Sequence, residues 1–285
     1  MIFKETDIAF VTSQLARIDR GEESVFRDTM NTDNQIIAKI FIKNELNEGV
    51  FYSCQLSDDL PIHIGIAIVE DTDRYNREIE ALIHQTIQMA DRTSCSVWLR
   101  NENKKITKYL KKTFHIVPEL EGEHDYASIE FIMQRDKFAP MIYSSEVEIR
   151  PYEDVYIDDY LLMLDDSMTF ASPPPDFVNN KNFFLGKFSE LNKQNAFEAF
   201  WVRDKLVGLY WRNGEEIDVM AVAGKHQRKG YGSIILTRAL QRIFVSTNTE
   251  CAYLYAVDWN ERAQAFYRKY GMVENGHSRF LRLEV

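Results

Sequence analysis

The chain has 285 residues, 45% of them apolar, and a formal net charge of −10, which allows one large or two ordinary domains with substantial cores. That charge argues against nucleic acid as a partner, since a phosphate-binding surface is normally basic. No apolar run approaches the ~18 residues of a membrane span, and Met1–Asp7 lacks the basic start and apolar stretch of a signal peptide, so a cytoplasmic protein that binds no membrane is expected. Cys54, Cys95 and Cys251 are scattered through strand-like runs and read as free thiols. Neither they nor the six histidines have metal-ligand spacing, so no metal is expected.

Residues 3–20 and 22–46 read as helices, the second with Ile36, Ile37, Ile40 and Phe41 spaced for one face. Val50 to Leu56 alternates like a strand, Ser57 to Asp59 is a turn, and Ile62 to Val69 is a strongly apolar strand. A helix over 75–90, a strand over 94–99, a basic helix over 104–114 and a strand over 126–133 follow. Residues 135–145, with Pro140, read as a linker. Beyond it come a strand from Val147, closed by Pro151, and a helix over 155–168. The proline-rich segment 171–176 cannot be helical, and Phe183 to Leu191 is helical again. Phe197–Val202 and Leu206–Arg212 pair as a hairpin across residues 203–205, and the turn pair Asn213-Gly214 leads into the strand Ile217–Val222. Cys251–Val257 is a further strand, and Val273 to Val285 supplies the last ones.

Two stretches carry chemistry. Gln227-Arg228-Lys229-Gly230-Tyr231-Gly232-Ser233 is a basic, glycine-bearing turn between a strand and a helix. Glycines let the backbone turn tightly, and the first N–H groups of a helix have no internal partner, so such a turn can cradle a phosphate. It is not a P-loop, because Tyr231 follows Gly230, nor a dinucleotide fingerprint, because Ile235 stands where the third glycine would be. The second stretch is Asn260-Glu-Arg-Ala263-Gln-Ala-Phe266-Tyr267-Arg-Lys-Tyr-Gly271-Met272. Ala263, Phe266 and Tyr267 fall on one helix face, and Gly271 reads as the stop.

Together the two stretches resemble the paired signatures of the GNAT (GCN5-related N-acetyltransferase) superfamily, Q/R-x-x-G-x-G/A followed by N-x-x-A-x-x-F/L-Y-x-x-x-G-F. Met272 replaces the usual final aromatic. An offset of 157 residues lays Asn103 on Asn260, Trp98 on Tyr255, Tyr109 on Phe266, and Ile62–Val69 along the glycine-loop strand. The expected fold class is therefore mixed α/β: two tandem GNAT-like domains, 1–141 and 146–285, each a mostly antiparallel sheet flanked by helices. The same offset puts Asp73 and Tyr75 on Gly230 and Gly232, Glu70-Asp71-Thr72 on residues 227–229, and Leu110 on Tyr267. Carboxylates at a helix mouth repel a diphosphate. The N-terminal half is thus expected to bind no coenzyme, and to be structural or to wall one side of the acceptor cleft.

The resemblance implies an acetyl-CoA-dependent acyltransferase. Backbone nitrogens across Arg228 to Ser233 would hold the diphosphate, with charge from Arg228 and Lys229. The main chain of Met220, Ala221 and Val222 would pair with the pantetheine arm, and Asn260 would contact the coenzyme or simply cap its helix. Tyr267 matches the general acid: a phenol of pKa ~10 can protonate a thiolate of pKa ~8.5 while staying neutral itself. Glu216 matches the base of histone-type members, with Asp218 in reserve; a solvated strand-end carboxylate is the plainer reading of Glu216. The family's alternative glutamate position holds Tyr255 here. No cysteine lies near either motif, so amine attack in a ternary complex is expected over an acyl-enzyme. Trp201, Tyr210, Trp211 and Trp259 could line an acceptor pocket or pack a sheet. The acceptor is a small-molecule or peptide amine that the residues leave open, as they do acyl-chain length and oligomeric state. The rival reading is a non-catalytic acyl-CoA-binding or sensor protein.

Overall fold

The structure is a computed structural model described over residues 5–30, 32, 34–117, 126–140, 146–169 and 175–284. Residues 1–4, 141–145 and 170–174, which hold the start of the chain, the end of the expected linker and most of the proline-rich segment, lie outside the described residues. The chain divides into two compact units, Met1–Glu130 with Glu274–Val285, and Phe131–Val273.

The first unit opens with helices α1 (Glu5–Leu15) and α2 (Arg20–Thr29). It continues through strands β1 (Gln35–Lys43), β2 (Leu46–Cys54) and β3 (Ile62–Ile68), helix α3 (Asn76–Met89), strand β4 (Ser94–Arg100), helix α4 (Lys104–Thr113) and the short β5 (His115–Ile116). Strand β6 (Ala127–Gln134) begins here and ends in the second unit. β1–β2 and β2–β3 are antiparallel, whereas β3–β4 is parallel. One sheet face packs Ile62, Ile64, Ile66, Val97 and Leu99 under Ile79 and Ile83 of α3 and Ile106 and Leu110 of α4. The other packs Val50, Tyr52 and Ala67 under Val11 and Leu15 of α1 and Phe26 of α2.

The helix expected over 22–46 is half right. It ends at Thr29, and residues 35–43 form β1, joined to β2 by Asn44 and Glu45, both with positive φ (49° and 67°). Ile37 and Phe41 join the α3/α4 core, while Ala38 and Ile40 join the α1/α2 core. A strand buried on both faces reads as a continuous apolar run, which imitates a helical spacing.

The second unit holds β7 (Glu148–Arg150), helices α5 (Ile157–Ser167) and α6 (Lys181–Lys193), and strands β8 (Phe197–Val202), β9 (Lys205–Asn213) and β10 (Glu216–Val222). Helix α7 (Tyr231–Ser246), strand β11 (Cys251–Val257) and helix α8 (Glu261–Lys269) complete it. β7–β8, β8–β9 and β9–β10 are antiparallel and β10–β11 is parallel. The β8–β9 hairpin turns on Arg203 and Asp204 alone, with φ of 50° and 56°, a tight two-residue loop. Tyr160, Leu161, Leu164 and Phe188 cover one sheet face. Helix α7 buries Ile235, Leu236, Ala239, Leu240 and Ile243, and Arg135 meets carbonyls at and just beyond its C-terminus, donating to Phe244, Thr247 and Thr249 at 2.8–2.9 Å. The final strand β12 (Val273–Glu284), which from Glu274 on belongs to the first unit, pairs antiparallel with that unit's β4 from Ser278↔Arg100 to Glu284↔Ser94.

Candidate active site

Strand β10 is irregular where the site forms. Its register with β9 shifts between Glu216 and Val219, a bulge that bends the strand. Beside β11 it keeps a single register pair, Glu216↔Tyr253. The other parallel pair, β3–β4, stays in register from Ile62↔Cys95 to Ile66↔Leu99. Beyond Glu216 the two strands therefore part, and a cleft of about 590 Å³ opens beside Met220, Ala221 and Val222.

The turn after β10 forms one wall. Arg228 and Gly230 both adopt left-handed backbone, with φ of 61° and 90°. Left-handed residues in a tight turn direct successive N–H groups into a shared concavity, a nest for anions. Gly230 is the N-cap of α7 and no side chain caps that helix, so the N–H groups of Tyr231 and Gly232 keep their capacity for a ligand, while that of Ser233 donates to the Gly230 carbonyl at 3.2 Å. Gly232 suits a close approach, since a Cβ there would lie 3.3 Å from the Phe266 ring, a tight contact. Two side chains brace the turn: the Gln227 amide donates to the Val222 carbonyl at 3.1 Å, and the Ser233 hydroxyl donates to the Gly230 carbonyl at 2.6 Å. Gln227, Arg228, Gly230, Gly232 and Ser233 all line the cleft, whereas Lys229 and Tyr231 do not. The Lys229 ammonium instead donates to the Lys225 carbonyl at 2.8 Å, and the Tyr231 ring meets His226 edge-on.

Helix α8 forms the opposite wall. Asn260 lines the cleft and also caps the helix, its Oδ1 accepting the Ala263 N–H at 3.1 Å. Tyr267 is buried against Phe131 and Phe266, each ring centroid 5.5 Å away, and faces the cleft. Burial pushes its phenol up to about 12. Three charged lining residues escaped the sequence reading: Arg262, Lys269 and Asp166. The two cations were legible in principle, since 262, 266 and 269 recur at helical spacing on one face of α8. Asp166 reaches the site from the end of α5, where its Oδ2 accepts the Gly224 N–H at 3.2 Å, and only the fold brings it there.

The expected bases lie apart from this wall. Glu216 sits at the last β10–β11 pair and does not line the cleft. The Asp218 Oδ2 accepts the Trp211 indole N–H at 2.7 Å and pairs with Lys187 at 3.3 Å. Trp201, Tyr210 and Trp211 are buried, Tyr210 donates to Glu198 at 2.9 Å, and none of the three is among the residues that line this cleft.

Residues 168–272, which span the turn, the split strands and α8, match the model of the Acetyltransferase (GNAT) family. Over this segment the chain is similar to the GNAT superfamily. The chain is similar to the spermidine N(1)-acetyltransferase of Vibrio cholerae, 32% identical over 93 residues, which are 29% of this chain. The match spans about half, 53%, of that relative's length. Two solved structures share the fold over nearly the whole chain. One is a GCN5-related N-acetyltransferase from Sphaerobacter thermophilus, with a TM-score of 0.58, 11% identity, and 98% of this chain and 93% of that one covered. The other is a functionally unknown conserved protein from Staphylococcus epidermidis, with a TM-score of 0.53, 17% identity, and 91% and 97% covered. Among the described residues no helix is long and apolar enough to cross a membrane, and no cluster of three His, Cys, Asp or Glu could hold a metal ion.

Proposed function

We propose that the protein is a cytoplasmic N-acetyltransferase that moves the acetyl group of acetyl-CoA to a primary amine, with the coenzyme held by the C-terminal copy, residues 146–285. One observation carries this reading: β10 and β11 part beside the uncapped start of α7, in the same cleft that Tyr267 faces. The N–H groups across Arg228 to Ser233 grip the diphosphate, and Arg228, Arg262 and Lys269 add positive charge. The released edge of Met220, Ala221 and Val222 pairs with the amides of the pantetheine arm as an added strand would. Acetyl-CoA supplies the activated acyl group.

Tyr267 donates its phenolic proton to the departing thiolate as the amine nitrogen bonds to the acyl carbon. A pKa pushed up to about 12 keeps that proton in place at any physiological pH. A thiolate leaving into the same dry wall is made more basic for the same reason, so the transfer stays matched. Glu216 is the proposed base, acting through water because it stands outside the cleft. The amine acceptor is of the polyamine class, in keeping with the net charge of −10 and with the carboxylate of Asp166 at the cleft; the spermidine acetyltransferase relative supports the same choice. The first unit is a degenerate copy without coenzyme.

Thiol release from acetyl-CoA, followed with spermidine, an aminoglycoside, free amino acids and a peptide N-terminus, tests the reading. Turnover with at least one amine is expected, with polyamines fastest. Tight coenzyme binding without turnover on any amine would instead establish a sensor.

A further inference from the structure

The first unit has a cavity of its own. Helices α1 and α2 cover Val50, Tyr52 and Ala67 on one sheet face, and on that same face a cavity of about 440 Å³ opens over β3, β4 and β12. Its floor follows from register. His63 lies beside Ser96, and Ser96 opposite Arg282, making one polar row across the three strands. Gly65, Trp98 and Phe280 make the next row. Tyr126 adds a third ring, edge-on to Trp98 at 6.4 Å and to Phe280 at 6.0 Å, and the Trp98 and Phe280 centroids are 4.8 Å apart. Leu56, Leu60 and Pro61, from the β2–β3 connection, form the lip.

The polar row is built. His63 is only 7% exposed, and its Nε2 lies 3.0 and 3.1 Å from the two carboxylate oxygens of Glu22, itself 3% exposed. Tyr52 donates its hydroxyl to the same carboxylate at 3.0 Å. Burial favours the neutral imidazole, but the touching Glu22 carboxylate, with Asp19 behind it, outweighs that and raises the His63 pKa. A carboxylate behind an imidazole also fixes the ring's orientation. The row thus presents an oriented imidazole, a hydroxyl and a guanidinium along one side of an aromatic box.

We infer that this cavity binds a small carboxylate carrying an aromatic body. The carboxylate meets Arg282, Ser96 and His63, and the ring stacks among Trp98, Tyr126 and Phe280. A guanidinium matches a carboxylate bidentately, three mutually tilted rings favour a flat apolar group, and the volume suits one small molecule. Three rings alone could also receive an ammonium group, but the adjoining guanidinium would repel it. The site is separate from the coenzyme cleft and does not depend on the acetyltransferase reading.

Calorimetric titration of the full chain with 3-phenylpropionate tests the site. Saturable binding is expected, weakened at least tenfold by Arg282→Gln and unchanged by Gly230→Asp, which alters only the coenzyme turn. On the unaltered protein, 3-phenylpropionamide should bind at least tenfold more weakly than the acid, a comparison that holds even if Arg282→Gln does not fold. No saturable binding, equal affinity for acid and amide, loss on Gly230→Asp, or tighter binding of tetramethylammonium than of the acid would each overturn the inference.

Discussion

Asn103 grips the main chain of Ile68 with both ends of its side-chain amide: Oδ1 accepts the Ile68 N–H at 3.0 Å, and Nδ2 donates to the Ile68 carbonyl at 2.9 Å. Arg100 donates to the same carbonyl at 3.0 Å. By the 157-residue offset Asn103 corresponds to Asn260, whose Oδ1 turns instead to its own helix. So where β10 leaves an edge open beside a cleft, the end of β3 is held by side chains of its own unit, and β3 and β4 stay in register. Asp71, mapped to Arg228 in the turn after β10, accepts the Lys105 N–H at 2.8 Å, and the ring of Tyr75 stacks on Phe41 where Gly232 would correspond.

Asn103 is 1% exposed, so Asn103→Ala strands a buried N–H and weakens a buried carbonyl. A loss of roughly 2–4 kcal/mol in urea unfolding is expected, with acetyl-CoA affinity within twofold of the parent. A large fall in coenzyme affinity without a fall in stability would mean that the first unit takes part in coenzyme binding.

Arg228 holds left-handed backbone at φ 61°, which costs a side-chain-bearing residue about 1–2 kcal/mol. Arg228→Gly removes that strain at an entropic cost of roughly 0.5–1 kcal/mol. Thermal stability should therefore hold or rise, while affinity for acetyl-CoA falls about tenfold as a charged contact worth roughly 1.4 kcal/mol is lost. A drop in Tm with affinity intact would mean that the strain serves packing alone.

Tyr267→Phe keeps the ring against Phe131 and removes the proton. The turnover rate should fall by about 10²–10⁴ with coenzyme affinity nearly unchanged, as read by thiol release and calorimetry. The phenol also has a stability signature. Its folded pKa, pushed up to about 12 by burial, exceeds the ordinary value of ~10, so the folded state keeps a proton that the unfolded chain releases. Stability should decline as pH rises from ~10 towards 12, less steeply in Tyr267→Phe. Glu216→Gln should flatten the rise of rate with pH and leave coenzyme binding alone; an unchanged profile would remove Glu216 as the base.

Asp19 caps α2 by accepting the Glu22 N–H at 2.9 Å. Burial, with the nearby Glu22 charge adding to it, raises its carboxyl to about 7. Because the folded value lies above the unfolded one, its stabilisation is complete below pH ~4 and is lost as pH rises through 7. His63, also raised, acts in the same direction. Asp19→Asn preserves the cap and should flatten the decline between pH ~4 and 7, a change on the order of a few kcal/mol in urea unfolding. Parallel profiles for the parent and Asp19→Asn would contradict this.

Much of the site was legible because its chemistry is local. A glycine-bearing basic turn and the Asn260–Gly271 helix each need particular residues at short spacing, and Arg228, Gly230, Gly232 and Tyr267 came to one cleft. Lys229 and Tyr231 were harder, because which side chain of a tight turn faces inward depends on φ values such as that at Arg228. Asp166 arrives from 58 residues away, and no local pattern marks it. The run from Ile36 to Phe41 misled for a related reason: burial on both faces of β1 erases the alternation that distinguishes a strand. That β12 pairs with β4 was likewise invisible, since strand pairing is a tertiary choice.

The most direct test is calorimetric titration of the full chain with acetyl-CoA, beside Gly230→Asp, which sets a carboxylate at the start of α7. The expected result is one coenzyme per chain, abolished by the substitution. Two coenzymes per chain, or uptake by Gly230→Asp equal to that of the parent, would contradict the assignment of the diphosphate to the turn at residues 228–233.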